Sequence, residues 1–269
     1  MDLSLLEHMV SCSTIELCLS VFPSTKYKTT KGAIKLHVGL DHLGYLPEFV
    51  SITEGKTADV SAARALQCPK GSIVVMDRGY IDDAWFNQLN TKNIFFVTRL
   101  SRGARYHVLE QRKVHEDQGL ISDQSIELTG TKAKKACPIR LRRIGYRDPN
   151  TGKPYGFVTN PFKLSAKTIA DLYKARWQVE RFVKWIKQNL KIKTFLGTSN
   201  HAVLTPVWIA FCVYVILAFV KFQSKLALST LQILRLLQRN SFERRDLMAL
   251  LRGDPPQHAF VNDKQMRLI

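Results

Sequence analysis

The sequence predicts an α/β fold with a mixed sheet, interrupted by a β-rich insertion and followed by a helical C-terminal region. Three observations carry that expectation. Strand-like runs open the chain, strand and helix signals alternate up to Leu100, and from Ser165 onward the apolar spacing is helical. With 269 residues, 45% hydrophobic and 10% aromatic, the chain can bury a core and is not a disordered tail.

Residues Thr14 to Phe22 alternate Ile15, Leu17, Leu19 and Val21 with Glu16, Cys18 and Ser20, the period of a half-buried strand. Ala33–Leu40 and Tyr45–Thr53 are rich in Val, Ile, Leu and Phe, and Asp41–Gly44 between them supplies turn residues, so they form a hairpin. Thr57-Ala58-Asp59 opens a short helix ending near Leu66. SIVVM (Ser72–Met76) is a compact strand of the kind buried on both faces, with Asp77 at its end. Asp82 and Asp83 cap a helix through Leu89, and Asn93–Leu100 returns as a strand.

From Ser101 to Asn160 short β-like runs lie between Gly-, Asp- and Lys-rich turns, without helix signals. Ile139–Tyr146 and Tyr155–Thr159 flank DPNTGKP and should pair as a hairpin. Ser165 is an N-cap for one long helix over Ala166–Leu190, whose Ile169, Leu172, Val179, Val183, Ile186 and Leu190 keep near one face. Gly197 ends that region, Thr205 and Pro206 start a very apolar helix, and two amphipathic helices follow near Thr230–Arg239 and Phe242–Leu251.

Forty Lys and Arg against 22 Asp and Glu give a formal charge of +18, which points to a polyanionic partner. Solubility and anionic membrane surfaces are the competing explanations. Five scattered cysteines lack the spacing of a zinc finger or a disulfide framework, and the histidines show no ligand spacing. The opening MDLSLLEHMV lacks a secretory leader's pattern, so no export is expected, and the scattered cysteines fit a reducing cytosol. Ala202–Val220 is apolar enough to span a bilayer, a reading weighed against a buried core helix.

Within the long helix, Tyr173, Arg176, Glu180 and Lys187 have two, three and six residues between successive members, which projects them onto one stripe. A carboxylate flanked by two cations and a phenol suits a metal-bound phosphate; a solvated face with an ordinary Arg176–Glu180 pair is the alternative. At the end of the SIVVM strand, MDRGY delivers Asp77, with Asp82 and Asp83 better placed to cap the next helix. The Tyr, Arg, Glu, Lys spacing, the surrounding LYKARWQVERFVKWIKQNLKIKTFLGTS and MDRGY together resemble bacterial insertion-sequence DDE transposases with an RNase H-like core.

That resemblance implies DNA cleavage and strand transfer, with two Mg²⁺ ions (Mn²⁺ as a substitute) bridged by three carboxylates. Asp77 and Glu180 take two of those catalytic and metal positions. Tyr173, Arg176, Lys187, Arg78 and Lys184 are the nucleic-acid contacts it implies. The first Asp belongs on the opening strand, and aligning TIELCLSVFP puts Ser11 there. A neutral hydroxyl is a poor substitute for a carboxylate on Mg²⁺, Glu16 lies on the opposite face of the strand and Asp2 precedes it, so the copy is expected to be degenerate and N-terminally truncated.

The expected division is a core of residues 1–99 and 161–223, an insertion of 100–160 and a tail of 224–269. The implied partners are DNA, both element ends and target, with a homodimer possible, no small-molecule substrate and no membrane. A non-catalytic DNA-binding remnant and a membrane-associated basic protein are the alternatives. Lys132, Lys134, Lys135, Arg140, Arg142, Arg143 and Arg147 make the insertion basic and suit phosphate contacts or simple solvation. Trp177 and Trp185 are expected in the core, with stacking on a base as the alternative.

Overall fold

Strand order is what places the site. The computed structural model describes residues 7–17, 32–41, 46–190 and 200–255. The chain divides into two units, residues 1–206 and 207–269. In the first, β1 (Glu7–Leu17), β2 (Gly32–Asp41) and β3 (Pro47–Glu54) form an antiparallel meander. β4 (Ile73–Met76) then pairs with β1 in parallel, and β5 (Phe95–Arg99) pairs with β4 in parallel. Three antiparallel strands continued by two parallel ones make the mixed sheet of an RNase H-like core.

The opening strand is described over Glu7–Leu17, so it is under way well before Thr14, where the alternation of Thr14–Phe22 suggested its start; residues 18–22 lie outside the described ones. β1 is held by β2 over His8–Leu17 and by β4 over Glu7–Val10. Parallel strands need crossovers, and two short helices supply them, α1 (Asp59–Ala63) before β4 and α2 (Asp83–Thr91) before β5. The Asp82 carboxylate caps α2 by accepting the Trp85 N–H at 2.7 Å.

The insertion does not stand apart from the core. Its strands β6 (Tyr106–Arg112), β7 (Leu120–Leu128), β8 (Leu141–Arg147) and β9 (Pro154–Thr159) continue the same sheet, giving the order β3-β2-β1-β4-β5-β9-β8-β7-β6. β9 returns antiparallel against β5, with Val97 opposite Thr159. One short helix, α3 (Thr131–Ala136), does occur there, contrary to the expectation of none. Six residues of TKAKKA are too few to show a helical period.

The expected long helix is two: α4 (Ala166–Ala175) and α5 (Trp177–Asn189), meeting at Arg176. Arg176 keeps helical angles (φ −51°, ψ −29°), and its carbonyl accepts the Val179 N–H three residues on at 3.0 Å, a local tightening that spacing does not reveal. Ser165 caps α4 through the Thr168 N–H at 3.0 Å. α4 packs on β4 and β5 and α5 on β1 and β2, burying Ile169, Leu172, Val179, Val183 and Ile186. The other face of the sheet, with Val74, Met76 and Phe96, packs with Trp85, Phe86 and Leu89 of α2. Trp177 is not in the core: it is 55% exposed.

α6 (Asn200–Ser224) crosses the boundary between the units, with Pro206 inside it rather than at its start. A helix can begin ahead of a proline at the loss of one backbone hydrogen bond. α6 is long and apolar enough to cross a bilayer by length and composition. Val207, Ala210, Phe211, Leu217 and Val220 along it are buried, whereas Ile209, Ile216, Phe219 and Phe222 are exposed. α7 (Thr230–Arg239) starts at a Ser229/Gln232 capping box. α8 (Leu247–Arg252) starts five residues beyond Phe242, where Asp246 supplies a cap to the Ala249 N–H at 2.8 Å and Phe242 is left fully exposed.

Candidate functional site

All four residues of β4 are buried, and side chains alternate along a strand. Ile73, Val75 and Asp77 therefore share one side, the side covered by α4 and α5. Asp77 is extended (φ −79°, ψ 171°) and opens a single 3₁₀ turn, Arg78–Tyr80, without making a capping bond to it. The turn is tied down from behind. The Tyr80 hydroxyl lies 3.1 Å from Nδ1 of buried His37, whose Nε2 lies 2.8 Å from Oγ1 of Thr53. A Cβ at Gly79 would stand 2.6 Å from the Asp59 carboxylate, which would have to shift to admit it.

Across from the turn, the Tyr173 hydroxyl donates to Oδ1 of Asp77 at 3.2 Å. Arg176, 2% exposed, puts Nη1 at 2.8 Å from Glu180 and Nη2 at 3.7 Å from Asp77. One guanidinium thus faces both carboxylates, which are themselves partly open to solvent. Burial, with Asp77 beside it, raises the Tyr173 pKa despite the opposing pull of Arg176 and Arg99. Burial works against the Arg176 charge, but Tyr173, Asp77 and Glu180 outweigh it and hold that pKa raised.

Arg99 joins this cluster unannounced by any motif. It ends β5, and because β5 runs parallel to β4 its last residue falls near the end that carries Asp77. Its guanidinium lies 4.8 Å from the Tyr155 ring and 5.2 Å from the Tyr173 ring, while Arg176 lies 5.4 Å from Tyr173. A cation at the end of a strand next to the strand that carries Asp77 was the available signal, and FVTR alone does not distinguish it from a solvated terminus.

The structure therefore brings together Asp77, Tyr173, Arg176 and Glu180. Ser11 enters by register: Val10 is opposite Met76 in the parallel β1–β4 pairing, so Ser11 and Asp77 occupy the next step. Glu16 is far along β1, opposite Ala33 of β2, and Asp2 lies outside the described residues. Lys187 is half-buried in the last turn of α5, Lys184 is exposed on the same helix, and Arg78 is exposed in the turn after Asp77. Among the described residues no three His, Cys, Asp or Glu side chains are grouped to hold an ion. Two carboxylates, both already facing a buried guanidinium, do not make the donor set of a two-ion centre.

The family model described as "Transposase DDE domain" matches residues 13–216, a span that includes Asp77, Tyr173, Arg176, Glu180 and Lys187. The chain is 32% identical over 231 residues to a Sinorhizobium fredii protein named as transposase y4zB, covering 84% of this chain and 64% of that protein. It is 30% identical over 219 residues to a Geobacillus stearothermophilus protein named as a transposase for insertion sequence element IS5377, covering 81% and 57%. The chain thus spans less than two thirds of the length of these relatives. A piggyBac transposase in a synaptic complex with hairpin DNA, solved by cryo-EM, shares the fold at a TM-score of 0.50 and 9% identity, over 97% of this chain and 60% of that one. With more than half of its length matched, the chain belongs to the transposase DDE-domain family of insertion sequences.

Proposed function

We propose that this chain is a DNA-binding transposase whose strand-cleaving centre is impaired at its first acidic position. One observation carries the reading: Asp77 and Glu180 converge on Arg176, while the β1–β4 pairing ends with Val10 opposite Met76, so that Ser11, not an aspartate, is the next residue of β1 as Asp77 is the next after β4. In this reading Asp77 and Glu180 are the two remaining catalytic acids. In a family member with the full donor set, divalent ions would supply charge for phosphodiester cleavage and strand transfer. Tyr173 and Arg176 orient the acids, and Arg78, Lys184, Lys187 and Arg99 offer positive charge to phosphates. The partners are the element's ends and target DNA, with a cytoplasmic, nucleoid-associated location and a possible homodimer; the family match, which reaches into α6 as far as residue 216, favours a protein-packed helix over a membrane span.

The second reading, DNA binding without catalysis, is favoured by Ser11 itself. A cleavage assay on pre-nicked or nonspecific DNA separates the two, because it needs no recognition of element ends. The natural chain is expected to cleave little with Mg²⁺, any residual activity appearing first with Mn²⁺, and Ser11→Asp is expected to raise cleavage in an Asp77-dependent way. Equal cleavage by the natural chain and Ser11→Asp, both abolished by Asp77→Ala, would mean that another residue supplies the missing ligand. No cleavage by any variant, with DNA binding retained, would favour the second reading.

A further inference from the structure

The charge at the site falls short for divalent ions, and Arg176 accounts for the balance. Asp77 and Glu180 bring two negative charges and Arg176 one positive, and Arg99 lies in the same cluster, so at most a single net negative charge remains where the family pattern would have one more. Arg176 is buried, among the described residues its Nε and Nη1 make no hydrogen bond of good geometry, and its nearest ionic neighbours there are Glu180, 2.8 Å from Nη1, and Asp77 at 3.7 Å. The Tyr173 and Trp177 rings lie 5.4 and 5.9 Å from the guanidinium carbon, neither of them an anion. A buried cation with so few partners depends on the ones it has.

We propose that in this chain the Arg176 guanidinium is the resident counter-charge of Asp77 and Glu180, and that a divalent ion must compete with it for the same oxygens. Mg²⁺ takes its ligands at about 2.0–2.1 Å, which requires carboxylate oxygens turned toward the ion. Glu180 Oε1 and Asp77 Oδ1 are turned toward Arg176, and Asp77 Oδ1 also accepts from Tyr173. In a family member with a third carboxylate the surplus negative charge can hold ions beside the arginine. Here that surplus is missing, so the arginine keeps both acids.

This inference rests on the reading of Asp77 and Glu180 as the acidic pair, but its test uses no DNA. In acids that await a metal, mutual repulsion makes neutral isosteres stabilising in the absence of metal; in acids that serve a buried arginine, the same isosteres strand a charge and destabilise. Thermal melting in EDTA of the natural chain, Asp77→Asn, Glu180→Gln and the double variant reads the sign directly. Glu180→Gln is expected to lower Tm by about 3 °C or more, and the double variant further. An unchanged or raised Tm overturns the proposal.

The second arm is Mn²⁺ titration followed by the spin-resonance signal of the free ion. Arg176→Gln is expected to bind Mn²⁺ at least about tenfold tighter than the natural chain, since it restores the missing unit of negative charge. Equal or weaker binding by a folded Arg176→Gln protein overturns the proposal as well. Should that variant fail to fold, the melting arm decides alone. Failure of Ser11→Asp to cleave DNA would count against the catalytic reading while leaving both of these results interpretable.

Discussion

His37 is fully buried between β2's neighbours, with both ring nitrogens engaged by Tyr80 and Thr53. Burial lowers its pKa below the ordinary 6.5; Asp59 pulls the other way and Lys35 adds to the lowering. The sign of the linkage follows. The unfolded chain takes up this proton before the folded chain does, so the stability contributed by neutral His37 is complete above pH 6.5 and is lost as pH falls below it. Urea midpoints should therefore drop between about pH 8 and pH 5.5, and His37→Gln, which keeps hydrogen-bonding capacity without titrating, should flatten that drop. An equal drop in the variant would assign the pH dependence elsewhere. Tyr80 belongs to the MDRGY motif, so this histidine also steadies the turn that presents Asp77.

The insertion is fastened to the start of α4 by one arginine. Arg142 donates to both Asp123 oxygens at 2.9 and 2.7 Å and to the Leu164 carbonyl at 2.6 Å, directly before the Ser165 cap. The pair is buried, and Arg142 holds the Asp123 carboxyl below its usual range against the opposing effect of burial. Arg142→Ala leaves the buried Asp123 carboxylate with Arg112 alone, at 3.2 Å, and should cost toward the low end of about 3–5 kcal/mol, while Arg142→Met with Asp123→Leu should recover most of it. Chemical denaturation of the four corners of that cycle checks this; additive effects would sink the coupling. The sequence offers Arg142 to phosphate contacts or to simple solvation alike, since composition shows charge but not which cation is buried. The same limit recurs across the elements. Local period and caps announced the β2–β3 hairpin, β4, α2 with Asp82, and α4 with Ser165, because those signals are short-range. The break at Arg176 is a local tightening and α3 is too short to show a period, whereas the fusion of the insertion's strands to β5 depends on distant partners. So does the site: the motif residues were legible from spacing, whereas Arg99 and the Ser11–Asp77 register exist only once β1, β4 and β5 are side by side.

For the whole molecule, the net charge of +18 makes counterion release the expected source of DNA affinity. Once Arg142 is set aside as structural, the insertion still offers exposed Lys132, Lys134 and Lys135 on α3 and exposed Arg140 and Arg147 on or near β8. Arg140 is already shared with Glu110 at 3.7 Å, which weakens its claim on a phosphate. The three α3 lysines are then the best candidates for sequence-independent contacts, and each phosphate neutralised adds about −0.9 to the slope of log K against log salt on duplex DNA. Replacing all three by Ala should make that slope shallower by about 2–3 and lower affinity most at low salt, with little difference between one duplex sequence and another. Fluorescence anisotropy across a salt series on two unrelated duplexes measures both quantities. A slope that stays the same in the triple variant would show that α3 faces solvent when DNA is bound. An affinity indifferent to salt in the natural chain would remove phosphate contacts as the basis of binding altogether.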